Sequence, residues 1–227
     1  MSDRRGLLAA TVAGFTIRGM PVLVKAGFIV YLIALSVLAS LVSRRRSLWM
    51  TAWRVLCLLY ADVGHTLGHA VSAQQAGAPM KGIVLRAFPI TLYSDEPVMP
   101  YQHVGRALGG PLFSLMSALI GLVLRGLTRP QTALREMADW FVIPNAILGA
   151  SSLLPGPQLD GGVILRWGVL YRGDGDASYA LARRIALACT IGLTAAGVGL
   201  LVRGRCGQSV LALGASGTVA FGLVRFK

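Results

Sequence analysis

Five apolar runs divide this chain: Val22–Val42, Ala107–Leu124, Ala138–Leu154, Ile185–Val202 and Ser209–Val224. Each approaches or reaches the roughly 20 helical residues that cross a bilayer. Lipid offers no partner to a free backbone N–H or C=O, so a crossing segment must satisfy its own hydrogen bonds, as a helix does. A sixth stretch, Leu48–Ala76, is less apolar and carries His65 and His69. It belongs in a membrane only if other helices shield it, because polar side chains at that depth face the bundle interior. Composition agrees, with 55% of the 227 residues hydrophobic and 14% charged, where an ordinary soluble chain is about a quarter charged. The expected fold is an all-α polytopic membrane protein of about six transmembrane helices. No linker, repeat or low-complexity tract interrupts it, so residues 1–227 read as one domain with a core over 48–172.

The formal net charge of +13 would point to nucleic acid in a soluble protein. Here the arginines sit between apolar runs, where positive residues set topology, and the partner they imply is the bilayer. With the N-terminus in the cytoplasm, six spans leave 13 of the 22 lysines and arginines inside and 9 outside. Arg44-Arg45-Arg46 runs against that bias. The 19 arginines against 3 lysines suit a GC-rich genome, hence a bacterial or archaeal plasma membrane. Arg5 and Leu7–Phe15 mimic a secretory signal, but no cleavage site follows. Cys57, Cys189 and Cys206 lack the close spacing of a metal cluster and read as packing residues.

Between the spans, Gly77-Ala78-Pro79 ends the histidine helix. Lys81–Tyr93 alternates in part, through Ile83, Leu85, Ile90 and Leu92 around Phe88-Pro89, which predicts a short membrane-associated β-hairpin between the second and third spans. Phe15-Thr16-Ile17 and Val22-Leu23-Val24 read as short extended segments. Ser94–His103, with Asp95 and Glu96, reads as a loop that includes His103. Gly109-Gly110-Pro111 then opens a helix rich in small residues, Ser114, Ser117, Ala118 and Gly121, which let transmembrane backbones approach closely. Non-helical backbone at membrane depth must line a wet cavity or be buried in protein, so the hairpin implies a pocket near one face.

Chemistry enters through a split pair of motifs. His65 and His69 lie four apart, about 40° in azimuth and one turn in height on a helix, so both rings can reach one metal. Leu154-Pro155-Gly156-Pro157-Gln158-Leu159-Asp160-Gly161-Gly162 follows about ninety residues later, and Asp160 would complete a three-ligand site with one position open to water. That is the layout of a catalytic zinc centre. Read singly, the histidines could be core residues and Asp160-Gly161-Gly162 a helix-ending turn; together they are not. Yet Thr66 follows the first histidine, where zinc proteases of the His-Glu-x-x-His type carry their general base. A threonine hydroxyl does not ionise near neutral pH, and general acid–base help is worth about 10²–10⁴ in rate. Asp62, three residues before His65, shares its face. It could orient an imidazole, act as a fourth ligand, replace the base, or simply pair with an arginine. Asp95 and Glu96 read as solvated charges, with Glu96 a remote substitute base.

These residues resemble the site-2 proteases, intramembrane zinc metalloproteases, over most of the chain. The likeness rests on His65–His69, the strand-like segment after it, the Gly110-Pro111 helix, and Pro155-x-Pro157-x-Leu159-Asp160-Gly161-Gly162 preceded by Asn145. The resemblance implies zinc held by His65, His69 and Asp160, and cleavage of membrane-spanning segments of other proteins near the cytoplasmic face. Asn145 and Ser114 would meet the bound segment. The chain departs from the family at Thr66, in place of glutamate, and at Ser114 and Ser152, where asparagine is frequent. Three functions follow: a non-proteolytic homologue that keeps zinc and grips membrane segments, an active metalloendopeptidase using another base, or a metal-binding carrier or sensor. The last needs a polar route, and the spans after Gly162 hold almost no ionisable residues.

Overall fold

The computed structural model describes residues 11–17, 19–41, 47–86, 90–93 and 97–225. Strands β1 (Thr11–Ile17) and β2 (Met20–Lys25) form an antiparallel hairpin that turns through Gly19 at φ +80°, a conformation glycine adopts without strain. β2 runs parallel to β3 (Gly82–Leu85), pairing Val22 with Ile83 and Val24 with Leu85, and β3 pairs antiparallel with β4 (Ile90–Leu92). The expected hairpin is therefore half of a four-stranded sheet in the order β1-β2-β3-β4. Its turn, Phe88-Pro89, lies outside the described residues. Val22, Ile83, Leu85 and Met80 are buried under the sheet against Ala70 and Ala73.

The helices are α1 (Ala26–Leu41), α2 (Leu48–Gln75), α3 (Pro100–Gly126), α4 (Ala133–Ser152), α5 (Asp160–Ile164), which widens into a π-helical turn over Leu165–Leu170, α6 (Gly175–Val202) and α7 (Cys206–Arg225). The apolar run from Val22 divides: Met20–Lys25 is strand, in line with the extended reading of Val22-Leu23-Val24, and the helix begins at Ala26. One boundary corrects the sequence reading. α3 begins at Pro100 rather than at Gly109, so His103 is helical, not loop. Pro100 suits a first helical turn, where its missing N–H is no loss, and the Met99 N–H donates to Gln102 Oε1 at 2.8 Å.

α3, α6 and the Cys206–Val224 part of α7 are long and apolar enough to cross a membrane; the apolar Ala26–Val37 part of α1 is shorter. Leu119, Ile120, Leu187, Ile191 and Val224 point outward, a girdle that water would not tolerate but lipid does.

The helix pair that matters most is α2 with α3. Gly64, Gly68, Ser72 and Ala76 recur every fourth residue and face Gly105, Gly109 and Phe113. A Cβ on Gly64 would enter the Phe113 ring, one on Gly68 would strike the Gly109 carbonyl, and one on Gly109 would strike Gly68 and Ser72. The two backbones touch. α4 lies against the other side of α3, with Val142 and Phe141 over Gly121 and Leu115 over Gly149. Away from the histidines, fully buried Arg54 of α2 pairs with Glu136 of α4, and Trp53 Nε1 donates to the Met137 carbonyl at 3.0 Å. α6 and α7 are joined by hydroxyls: Ser209 Oγ donates to Gly197 O at 2.7 Å and Ser216 Oγ to Thr190 O at 3.0 Å.

Gly68→Leu is expected to lower the melting temperature of the protein in detergent, with about 1–3 kcal/mol lost to overpacking. Gly192→Leu, where a Cβ meets nothing within 4 Å, should leave it unchanged.

Candidate metal centre

His65 and His69 project from the middle of α2 onto Gly110 of α3. A Cβ on Gly110 would collide with both Nε2 atoms, so only glycine leaves room for the rings there. The third group comes from the first residue of α5. The loop before it folds back so tightly that a Cβ on Gly161 would strike the Leu153 carbonyl and one on Gly162 the Gly156 carbonyl. The two glycines of the Asp-Gly-Gly sequence are thus required by the close approach that delivers Asp160.

The three groups converge. His69 Nε2 lies 3.1 Å from His65 Nε2, and the Asp160 carboxylate oxygens lie 3.3 Å from each imidazole. Four-coordinate zinc with bonds of about 2.0–2.1 Å spaces its ligand atoms by about 3.3 Å, so the donor set matches such an ion. Hydrogen bonds at the other ring nitrogens agree. His69 Nδ1 is 2.8 Å from the Arg106 carbonyl, which can only accept, so Nδ1 carries the proton and Nε2 keeps its lone pair for a metal. His65 Nδ1 is 2.9 Å from Ser114 Oγ, which orients the second ring in the same sense. Side-chain exposures of 12%, 10% and 19% for His65, His69 and Asp160 leave the centre shielded yet open on one side.

That side is a cavity of about 440 Å³, bordered by His69, Asp160, Thr91, Tyr93, His103 and Arg106. Arg106 is buried, donates Nε to the Ala78 carbonyl at 2.9 Å and stacks 4.8 Å over the Tyr93 ring. Burial pushes the Tyr93 phenol above its ordinary range, leaving it a proton donor. The sequence reading missed Tyr93, His103 and Arg106. A signal existed: His103, Ala107 and Gly110 follow the i, i+4, i+7 spacing of one helix face, but it disappears if the helix is started at Gly109.

The remaining candidates are dispersed. Thr66 is buried and its hydroxyl donates to the Asp62 carbonyl at 3.0 Å. The Asp62 carboxylate accepts from Tyr31 of α1 at 2.7 Å. Asn145 is fully buried; its Nδ2 donates to Phe141 O at 2.8 Å and its Oδ1 has no hydrogen-bond partner. Ser152 bonds the Gly149 carbonyl of its own helix. Asp95, Glu96 and Arg44-Arg45-Arg46 lie outside the described residues.

No family model matches the chain. Over 173 residues it is 34% identical to a Mycobacterium tuberculosis protein named zinc metalloprotease Rip3, covering 74% of this chain and 39% of that protein. Over 121 residues it is 31% identical to a Synechocystis protein named zinc metalloprotease sll0528, covering 52% of this chain and 32% of that protein. The site-2 protease of Methanocaldococcus jannaschii shares the fold with a TM-score of 0.54 and 20% identity, across 89% of this chain and 91% of that one. The chain thus has the fold of a site-2 protease and is similar in sequence to proteins named as zinc metalloproteases. It spans well under half the length of the curated relatives it matches. In this chain His65, His69 and Asp160 converge, while the position after His65 holds a hydroxyl turned back onto its own helix.

Titration of the purified protein with zinc against a chelator should give one tight site, lost in His65→Ala and Asp160→Ala. Ser114→Ala is expected to weaken it about tenfold, the usual cost of removing a partner that orients a ligand. Asp62→Asn should leave it unchanged.

Proposed function

We propose that this protein is a zinc-holding, non-proteolytic site-2 protease homologue that grips a membrane-spanning segment of another protein. The observation that carries the reading is the fate of Thr66: its hydroxyl is buried and committed to the Asp62 carbonyl. Zinc in such a site would supply a Lewis acid and a bound water of lowered pKa. Removing that water's proton and returning it to a leaving amine needs a group that ionises near neutral pH. Thr66 does not, and Asp62, the nearest carboxylate on the same helix, is held by Tyr31. This argues against the active-protease alternative. Residues 185–202 and 206–224, the apolar parts of the last two spans, carry no Asp, Glu, His, Lys or Arg, which argues against a carrier.

The gripping element is β4. It is an edge strand, and its Thr91, with Tyr93 just after it, borders the cavity that contains His69 and Asp160. An extended peptide can add to such an edge through its backbone, with alternate side chains entering pockets. A transmembrane helix would have to unwind to do so, and a cavity bordered by His69, His103, Arg106 and Asp160 is a place where unwound backbone would be tolerated. The unpartnered Oδ1 of Asn145 is a further acceptor that a bound segment could satisfy. This reading takes the chain as one domain of six membrane-spanning helices, α1 to α4 with α6 and α7, in a bacterial or archaeal plasma membrane, with the N-terminus cytoplasmic.

A photo-crosslinking residue at Thr91, in membranes containing single-span test proteins, should yield full-length adducts without cleavage. Thr66→Glu should create hydrolysis where the parent has none, by a factor of about 10²–10⁴. A cleavage product from the unaltered chain that vanishes in His65→Ala would defeat the proposal.

A further inference from the structure

Where α5 and its π-helical turn meet the start of α6, an arginine is enclosed by aromatic rings. The Arg166 guanidinium lies 4.5 Å from the Trp167 ring centre and 4.8 Å from that of Tyr179. Its Nη2 donates to the Gly175 carbonyl at 3.2 Å, while its Nε is buried with no hydrogen-bond partner. A buried, unsatisfied donor atom on a cation is costly, and it marks a place where an acceptor belongs. Beside it is a cavity of about 50 Å³, bordered by Arg166, Trp167, Tyr179, Arg183, Pro157 and Gly162. Arg183 follows Tyr179 by one helical turn, so both face the cavity. The nearby Asp174 makes no ion pair with either arginine; its Oδ1 caps α6 by accepting from the N–H groups of Asp176 and Ala177. Among the described residues the carboxylate partners go to Arg54 and Arg125, and neither Arg166 nor Arg183 has one.

We propose that this box binds the phosphate of an anionic lipid headgroup. Arginine forks match phosphate oxygens through paired, charge-assisted hydrogen bonds, and the cavity has room for one such group and not for a nucleotide. The lipid source follows from depth. α6 is long and apolar enough to cross the membrane, so its first three turns, carrying Tyr179, Arg183 and Arg184, lie where the span enters the headgroups. Trp167, Tyr171 and Tyr179 add the aromatic belt of that interface, and clustered arginines at a membrane surface attract anionic lipid. Pro155 and Pro157 belong to the loop that delivers Asp160, and Gly162 to the helix that Asp160 begins. A phosphate seated here braces that loop from the side away from the metal centre. The proposal is independent of whether the centre cuts peptide bonds.

Native mass spectrometry of the full chain in detergent tests this with dioleoylphosphatidylglycerol, dioleoylphosphatidylcholine and inorganic phosphate. Retention of phosphatidylglycerol about tenfold above phosphatidylcholine is expected, reduced about tenfold in Arg183→Gln and in Arg166→Lys, as loss of a charge-assisted hydrogen bond dictates. Arg183 is exposed, so its replacement leaves the fold intact, and Arg166→Lys keeps the charge while removing the fork. Arg125→Gln should behave as the parent. Displacement by millimolar inorganic phosphate, with no preference between the lipids, would assign the box to a free phosphate instead and overturn the lipid source. Equal retention in parent and variants overturns the site itself.

Discussion

The contact between α2 and α3 governs this molecule. Two helices can bring their backbones together only where neither carries a side chain, and here Gly68 meets Gly109 at that limit, while Gly64 makes room for the Phe113 ring. The same contact continues to Gly110, which forms the floor beneath both imidazoles. It also brings the Arg106 carbonyl and Ser114 Oγ within 2.8 and 2.9 Å of the two Nδ1 atoms. One packing event therefore sets ring position, tautomer and ligand direction together. In lipid there is no hydrophobic force to pull helices together, so close van der Waals contact must do so.

Polar groups inside the bundle are few and almost all accounted for. Tyr31 satisfies Asp62, Glu136 satisfies one nitrogen of Arg54, and hydroxyls of α6 and α7 bond carbonyls across their interface. Among the described residues, the buried side-chain atoms without a partner are Arg54 Nε and Nη1, Asn145 Oδ1, Gln158 Oε1 and Arg166 Nε. A buried group without a partner is unfavourable in a low-dielectric interior.

Much of this was legible in the chain. The helix of His65 and His69, the hairpin after it and the later apolar helices follow from periodicity and length. Asp160 was legible because its motif is compact. The four-stranded sheet was less so: Val22–Val24 could be recognised as extended, but parallel pairing with Ile83–Leu85 joins segments about sixty residues apart, and no local pattern encodes it. His103 was misread because proline and polar residues before Gly109 look like loop, whereas Pro100 is the helix start. Asp62 was weighed against histidine and arginine partners; its actual partner, Tyr31, comes from a separate helix.

By itself, the amino-acid sequence determined that the chain is a membrane protein, that two histidines share one helical face, and that the residue beside them is a threonine. These are local facts, set by hydrophobic length and by 3.6-residue periodicity. Only the tertiary structure decided that Asp160 meets the histidines, that Gly110 makes room for them, and that the hydroxyl of Thr66 turns to its own helix. Those depend on backbones distant in sequence reaching contact, and contact distance is a property of the packed bundle alone.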